Sequence, residues 1–267
     1  MSTSRIEGGR AFATRPPLLS TRDLTIRFGG HVAVNAVSCD FYPGTLTCIV
    51  GPNGAGKTTY FNLISGQLKA TAGSIALKGE DITRLSASTK SRRGIGRAFQ
   101  LTNLFPHLSV IENVRLAVQS RAGMWLNMFS VWSSHRDVIE KAEHALEQVG
   151  LITQRDAPAA NLPHGDQRKL EVAILIALEP DVFMFDEPTA GMSVEEVPVI
   201  LDLIQRIKAR GDKTILLVEH KMDVVQSLSD RIIVLHNGSL AADGDPATVI
   251  ASPIVQEAYL GVEQKHG

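Results

Sequence analysis

Residues 51–59 constrain the fold of this chain more than any other stretch, because a glycine-rich turn here joins a short apolar run to a helix-compatible one. The preceding run, Leu46–Val50, is apolar and rich in β-branched residues, and it has the length of a buried strand. Glycines in such a turn let backbone N–H groups converge on an anion, and the start of the following helix adds partial positive charge. The stretch therefore predicts a strand, a phosphate-binding loop and a helix.

The polar residues of this loop predict how a nucleotide would be held. Lys57 would place a positive charge on the β- and γ-phosphates, and the Thr58 hydroxyl would ligate Mg²⁺. The predicted nucleotide-binding residues of the loop are Gly51, Asn53, Gly54, Gly56, Lys57, Thr58 and Thr59.

Composition narrows the class of protein. A chain of 267 residues with 44% hydrophobic residues can form one large domain, or a domain with a subdomain. Its net charge of −1 argues against a general nucleic-acid binder. No apolar run approaches the roughly 20 residues that span a bilayer, so we expect a cytoplasmic chain unless another protein holds it at a membrane. Cys39 and Cys48 lack metal-ligand spacing and are expected to be reduced thiols in the core.

The order of apolar segments predicts an α/β fold with two subdomains. After a mobile lead-in (residues 1–17), short alternating segments at 24–28, 32–34 and 38–41 predict a small antiparallel sheet. Residues 101–161 have helical spacing and form a candidate helical subdomain. Residues 18–100 and 162–250 would form the core, a mostly parallel sheet covered by helices, and residues 251–267 a short tail.

Local signals predict several boundaries. Capping-box patterns at 109–112 and 193–196 predict helix starts, and Ser134 with Asp137 resembles a third. Asn237-Gly238 is typical of a two-residue hairpin turn. A basic run, whose members are Lys90, Arg92, Arg93 and Arg97, is explained most simply as a solvated helix face.

Further chemical groups follow two predicted strands. The strand Val182–Asp186 ends in two carboxylates, Asp186 and Glu187, and the strand Thr214–Val218 is followed by Glu219 and His220. In an open α/β sheet these strand ends lie at one edge beside the phosphate loop. Asp186 fits an Mg²⁺ ligand, direct or through water. Glu187 could orient or deprotonate an attacking water, with His220 holding the γ-phosphate or that glutamate, which favours hydrolysis over transfer to a substrate.

These motifs, in this order, resemble the ATPase subunits of ATP-binding cassette (ABC) transporters; they lie at 51–58, Gln100, 162–168, 182–187 and His220. The resemblance, over about residues 18–262, implies a P-loop NTPase core and a cofactor pair of ATP and Mg²⁺. It implies that Phe28 stacks on adenine, that Gln100 contacts Mg²⁺ and senses a membrane subunit, and that Glu187 is the general base. It also implies that the signature at 162–167, with Gly165, Asp166 and Gln167, covers ATP bound by a second subunit.

Longer phrases resemble the ATPases of branched-chain amino-acid importers; they stand at 96–100, 104–114, 219–225 and 256–261. This implies two membrane permeases, a second ATPase (the same or paralogous), a periplasmic or extracellular solute-binding protein, and a place at the cytoplasmic face of the inner membrane. ATPases for urea or short amides are similar. The alternative is a soluble ABC-type ATPase that acts as a mechanical switch on a protein or nucleic-acid assembly.

Three residues depart from the family pattern. Pro163 stands where a serine hydroxyl usually meets the γ-phosphate of the partner site, Ser193 where an aspartate is frequent, and Ile174 where an arginine is frequent. A capping-box role explains Ser193. Between the two predicted helices of the helical subdomain, residues 125–132 contain both tryptophans, and they are either a hairpin packed on its own helices or an exposed patch for a partner.

Overall fold

The computed structural model describes residues 15–98, 104–121 and 136–252. Its strands are β1 (Leu19–Phe28), β2 (His31–Phe41), β3 (Leu46–Val50), β4 (Ala72–Leu77), β5 (Glu80–Asp81), β6 (Ile95–Ala98), β7 (Val182–Asp186), β8 (Thr214–Val218), β9 (Arg231–His236) and β10 (Ser239–Gly244). Its α-helices are α1 (Lys57–Ser65), α2 (Ala87–Arg92), α3 (Val110–Arg121), α4 (Arg136–Gln148), α5 (His164–Ala177), α6 (Val197–Ala209), α7 (Met222–Leu228) and α8 (Pro246–Ile250). Within these residues, we find no helix that combines the length and the apolar character needed to cross a membrane.

The predicted parallel sheet is confirmed. Six strands lie in the order β10-β9-β3-β8-β7-β6, and every neighbouring pair from β9 to β6 is parallel. Only β10 is antiparallel, joined to β9 by the predicted hairpin turn. Asn237 and Gly238 both have positive φ (48° and 74°), as the mirror-image turn of a tight hairpin requires. The carboxyl ends of β3, β7 and β8 therefore lie side by side.

Alternate residues of the parallel strands enter two hydrophobic cores on opposite faces of the sheet. In β3, Cys48 packs in the core formed with helices α3 to α7, whereas Ile49 packs in the core formed with α1 and the antiparallel sheet. The two cysteines lie in different cores, because Cys39 packs in the same core as Ile49. Both thiols are free and buried, and burial raises the pKa of each to about 12. The prediction of core thiols is confirmed.

The second sheet is antiparallel, in the order β2-β1-β4-β5, but its strands are longer than the sequence suggested. The predicted segments 32–34 and 38–41 belong to one continuous strand, β2. Ala36, between them, has a positive φ of 50° where the register with β1 shifts. Its N–H donates to Thr25 Oγ1 at 2.9 Å, so a bulge joins the two predicted segments within one strand.

Two capping boxes had different outcomes. Ser109 Oγ accepts a hydrogen bond from the Glu112 N–H (3.3 Å), and α3 begins at the next residue, as predicted. The prediction that a helix starts at Ser193 is wrong, because residues 194–196 form a turn and α6 begins at Val197. In that turn the Glu196 N–H donates to the Ser193 carbonyl (3.1 Å), and the Glu196 carboxylate accepts from the Ser193 N–H (3.0 Å). Ser134 lies outside the described residues.

The interpretation of the basic run as a solvated helix face is wrong for two of its four members. Lys90 on α2 is fully buried, and its Nζ donates to the carbonyls of Leu63 (3.0 Å) and Ile64 (3.1 Å) at the end of α1. Burial lowers the pKa of Lys90 to about 8. Arg97 lies on strand β6 and is also largely buried. Two of the four cations of the run are therefore part of the interior of the fold.

We expect Lys90 to make stability pH-dependent on the alkaline side. The folded protein releases the Lys90 proton near pH 8, whereas the unfolded chain holds it up to the ordinary lysine value of 10.5. The unfolded state therefore binds more protons across this window, and the free energy of unfolding that Lys90 contributes should rise with pH from about 8 upward. Urea unfolding of the wild type and of Lys90→Met at several pH values measures this contribution.

The exposed residue Lys69 provides the control for that comparison. Lys69→Met should follow the wild-type pH dependence, whereas Lys90→Met should lack the alkaline rise. Equal slopes for all three proteins would contradict the assignment.

Candidate active site

The loop between β3 and α1 is held against two other backbone segments. Gly51 and Gly56 both have positive φ (151° and 96°). A Cβ at Gly51 would lie 2.2 Å from the Leu235 carbonyl oxygen, and one at Gly56 would lie 2.5 Å from that of Ala33. Both glycines are therefore required by close backbone contact as well as by conformation. Around Gly54 the space is open, so a ligand can approach the backbone there.

Lys57 is buried in the loop with its amine directed at backbone carbonyls. Its Nζ donates to Gly51 O (2.7 Å) and Pro52 O (3.0 Å). Burial lowers the pKa of Lys57, and the nearby carboxylates of Glu187 and Asp186 oppose that shift. A phosphate oxygen is a stronger acceptor than a carbonyl because it is charged, so these donors can be transferred to a bound nucleotide.

A cavity of about 420 Å³ opens beside the loop. Its walls are formed by Phe28, His31, Ala33, the loop and helix residues 53–59, Glu187 and His220. Phe28, predicted to stack on adenine, is 49% exposed at one side. His31 and Ala33 were missed by sequence reasoning, because they stand in an ordinary strand pattern and reach the cavity only through the pairing of β1 with β2.

The two carboxylates at the end of β7 lie in different environments. Asp186 is buried, and its Oδ2 accepts from Arg97 Nη2 at 2.7 Å. Burial raises the pKa of Asp186, and Arg97 opposes that rise. Glu187 is 41% exposed at its side chain and lines the cavity. The two residues are adjacent, but of the two only Glu187 lines the cavity.

The donor set fits a magnesium ion that arrives with phosphates. Mg²⁺ takes one or two protein oxygens and completes its shell with phosphate oxygens and water. Thr58 is exposed at the start of α1, and Asp186 supplies a carboxylate at the end of β7, which is separated from β3 by β8 alone. In the described part of the chain no group of three or more His, Cys, Asp or Glu side chains that could hold a metal ion occurs. Gln100, the third predicted ligand, lies outside the described residues.

Glu187 and His220 form a pair at the cavity. His220 Nε2 and Glu187 Oε1 are 2.8 Å apart. The backbone of Glu187 is left-handed (φ 51°), and its N–H donates to the Val218 carbonyl at 2.9 Å. This conformation is costly for a residue with a Cβ, and such strain is concentrated at functional sites.

His220 is held by a buried support that the sequence did not reveal. Glu219 is 3% exposed, and its Oε2 accepts the N–H of His220 at 2.9 Å. Its other oxygen accepts from the Thr189 hydroxyl at 2.6 Å. The loop after β7 and the loop after β8 are thus joined behind the Glu187–His220 pair.

The predicted signature residues lie at the start of α5 and do not line the described cavity. The Asp166 carboxylate accepts from Lys169 Nζ (2.7 Å) and Gln154 Nε2 (3.0 Å), contacts that lower its pKa against the opposing effect of burial. Gln167 Nε2 donates to the Leu162 carbonyl at 2.9 Å. With both side chains engaged, the backbone N–H groups of this helix start are the donors left for an anion.

Pro163 occupies the cap position before α5 and supplies no side-chain hydrogen bond to the helix. A Cβ added at Gly165 would lie 1.7 Å from Glu196 Oε1, so the turn before α6 packs directly against the signature. Ile174 packs against the hydrophobic core, which explains its apolar character. Residues 125–132 lie outside the described residues, and the two interpretations of them stay open.

Comparison with known proteins agrees with this geometry. The family model described as "ABC transporter" matches residues 34–190. The chain is 39% identical to the high-affinity branched-chain amino acid transport ATP-binding protein LivG of Escherichia coli K12, over 92% of this chain and 98% of that protein. It is 38% identical to the corresponding protein BraF of Pseudomonas aeruginosa, with the same coverage.

Among solved structures, the fold is similar to the ADP conformation of MJ1267, an ATP-binding cassette of an ABC transporter. The TM-score is 0.79 at 28% identity, and the match covers 92% of this chain and all of that one.

Replacing Lys57 should weaken nucleotide binding. Lys57→Ala removes a charged donor that would contact phosphate, which costs about 1.5–3 kcal/mol or roughly 10–100-fold in affinity. Titration with a fluorescent nucleoside triphosphate measures the dissociation constant. The exposed Lys69→Ala is the control and should bind as the wild type does. Unchanged affinity in Lys57→Ala would refute the assignment.

Proposed function

Since this chain belongs to the ABC transporter family, we propose that it is the ATP-hydrolysing subunit of an importer and that Glu187 and His220 carry out the proton chemistry of hydrolysis. The observation that carries the proposal is the 2.8 Å contact between His220 Nε2 and Glu187 Oε1 in the cavity that also contains the phosphate loop. One oxygen of Glu187 is thereby fixed, and the other is left to accept a proton from water.

The phosphate loop binds and orients ATP in this proposal. The Lys57 amine moves its hydrogen bonds from the carbonyls of Gly51 and Pro52 to phosphate oxygens, and the N–H groups at the start of α1 surround the phosphates. Phe28, exposed at the side of the cavity, offers its ring to the base. Thr58 and Asp186 would hold Mg²⁺, which when bound neutralises charge on the transferred phosphoryl group.

Glu187 acts on the attacking water. Its exposed carboxylate orients that water and takes its proton, while His220 holds Glu187 from the other side. The hydrogen bonds from the Thr189 hydroxyl and the His220 N–H to the Glu219 carboxylate hold the loop of His220 in place. A general base contributes typically 10²–10⁴-fold, so this pair accounts for a large part of the rate.

A second ATPase subunit, the same or paralogous, would complete the site. The signature residues Gly165, Asp166 and Gln167 lie away from the cavity of their own chain, so they are suited to cover ATP bound by another. The N–H groups at the start of α5 would meet the γ-phosphate there. Pro163 has neither an N–H nor a hydroxyl, which leaves this contact one hydrogen bond short.

We take branched-chain amino acids as the transported class, because relatives 38–39% identical over almost their full length are named for that transport. Two membrane permeases and a solute-binding protein would be the other components, and the chain would sit on the permeases at the cytoplasmic face of the membrane. The test is ATP hydrolysis by the complex in liposomes with its binding protein, which leucine should stimulate and urea or acetamide should not. Stimulation by urea alone would overturn the cargo assignment.

Within that complex, Glu187→Gln should leave ATP binding intact and reduce hydrolysis about 100-fold or more, because the amide cannot accept the proton. Glu179→Gln is a matched control, since Glu179 is an exposed glutamate with a similar left-handed backbone (φ 45°) just after the end of α5, and it does not line the cavity. It should hydrolyse ATP at the wild-type rate. Near-normal turnover in Glu187→Gln would show that another group is the base.

A hydroxyl at position 163 should strengthen the contact between the signature and the ATP bound by the partner subunit. Pro163→Ser supplies a cap for α5 and a donor for the partner's phosphate, each worth about 1 kcal/mol, so turnover should rise severalfold. Pro163→Ala also removes the proline ring but adds no hydroxyl, and its rate should stay near the wild type. Equal rates for the serine and alanine variants would show that the absent hydroxyl does not limit closure.

A further inference from the structure

Arg97 is a buried cation in the middle of the site whose role the family motifs do not assign. Its side chain is 7% exposed, as is that of its partner Asp186, and the two are 2.7 Å apart. The guanidinium also lies over the Phe61 ring, 5.5 Å from the centroid. Arg97 Nε is buried without a hydrogen-bond partner among the described residues.

The other end of the guanidinium is attached to α1. Arg97 Nη1 donates to Asn62 Oδ1 (2.6 Å) and to Ser65 Oγ (3.0 Å). Thr58, Asn62 and Ser65 are spaced by four and then three residues, so they lie on one face of the helix. Arg97 therefore connects the face of α1 that begins with Thr58 to the carboxylate at the end of β7.

Fold stability alone is a weak explanation for a buried ion pair. A buried ion pair can often be replaced by packed apolar residues without loss of stability, since desolvation offsets the attraction. Among the described residues, Nε of this cation has no hydrogen-bond partner, and an unpaired buried donor adds to the cost. The arrangement is better explained by what it does to Asp186.

We propose that Arg97 is a positioning residue for magnesium: it holds Asp186 Oδ2 and, through Asn62 and Ser65, fixes the place of Asp186 Oδ1 relative to α1, the helix that carries Thr58. The inference rests on the proposed function in so far as Mg²⁺ accompanies ATP. With Oδ2 occupied by the guanidinium, Oδ1 would be the oxygen available to Mg²⁺ or to a water bound to it. A carboxylate already paired with a guanidinium suits contact through water, because part of its charge is balanced.

The Mg²⁺ dependence of nucleotide binding tests this role without measuring hydrolysis. The affinity for a fluorescent ADP analogue is titrated in excess EDTA and in excess MgCl₂, and the ratio of the two gives the tightening due to Mg²⁺. Loss of a residue that orients a metal ligand typically costs 10–100-fold in metal affinity. Arg97→Met should therefore reduce the Mg²⁺ tightening about 10-fold or more and leave the affinity in EDTA unchanged.

Two further variants separate positioning from folding. Arg97→Lys keeps the charge but cannot reach Asp186 and α1 together, so it should recover part of the tightening. Asn62→Ala keeps the ion pair and removes the strongest contact to α1, so it should lower the tightening less than Arg97→Met does. If Arg97→Met fails to bind nucleotide even in EDTA, the test rests on Asn62→Ala. Mg²⁺ tightening in Asn62→Ala equal to that of the wild type would then overturn the proposal.

The outcomes distinguish this inference from the proposed function. Wild-type Mg²⁺ tightening in Arg97→Met would overturn the role of Arg97, whatever the rate of hydrolysis. A wild-type complex that binds ADP with Mg²⁺ tightening but hydrolyses no ATP would overturn the proposed function and leave the role of Arg97 in place.

Discussion

The phosphate loop depends on close backbone contact with two strands that belong to different sheets. Gly56 lies against the Ala33 carbonyl of the antiparallel sheet, and Gly51 against the Leu235 carbonyl of the parallel sheet. The Gly238 N–H donates to the Ala55 carbonyl at 3.1 Å, which ties the loop to the β9–β10 hairpin as well. The two sheets must therefore meet at this loop. Packing of the hydrophobic cores on the two faces of the parallel sheet fixes where the carboxyl ends of β7 and β8 lie beside the loop.

Two adjacent carboxylates acquire different chemistry from this packing. Asp186 ends a strand that is buried on both faces, and it meets the guanidinium of Arg97. One residue later, the left-handed backbone of Glu187 turns its side chain into the cavity toward His220. A paired, buried carboxylate is suited to hold a metal shell, whereas a half-exposed one can exchange a proton with water. Two neighbouring residues are thus suited to different roles in one site, Asp186 to metal binding and Glu187 to proton transfer.

Much of the fold could be predicted because its signals are local. The strand before the phosphate loop, the strands ending at Asp186 and Val218, and the Asn237-Gly238 turn each follow from a few consecutive residues. The errors arose where a distant partner decides the outcome. Thr25 on β1 allows Ala36 to bulge within β2, and the turn that the Glu196 carboxylate closes delays the start of α6. Lys90 was assigned to solvent because a lysine in a basic run gives no sign of the helix end that it caps.

The sequence by itself determined the phosphate loop, the two carboxylates and the order of the motifs, because spacing along the chain is enough to specify a glycine turn after a strand. Tertiary structure alone decided which groups support them. Arg97 binds Asp186, 89 positions away, and Thr189 binds Glu219, 30 positions away, through hydrogen bonds that form only when separate strands are brought edge to edge. The physical reason is that a buried charge must be paired with a hydrogen-bonding partner, and the packing of the sheet determines which residue is close enough to be that partner.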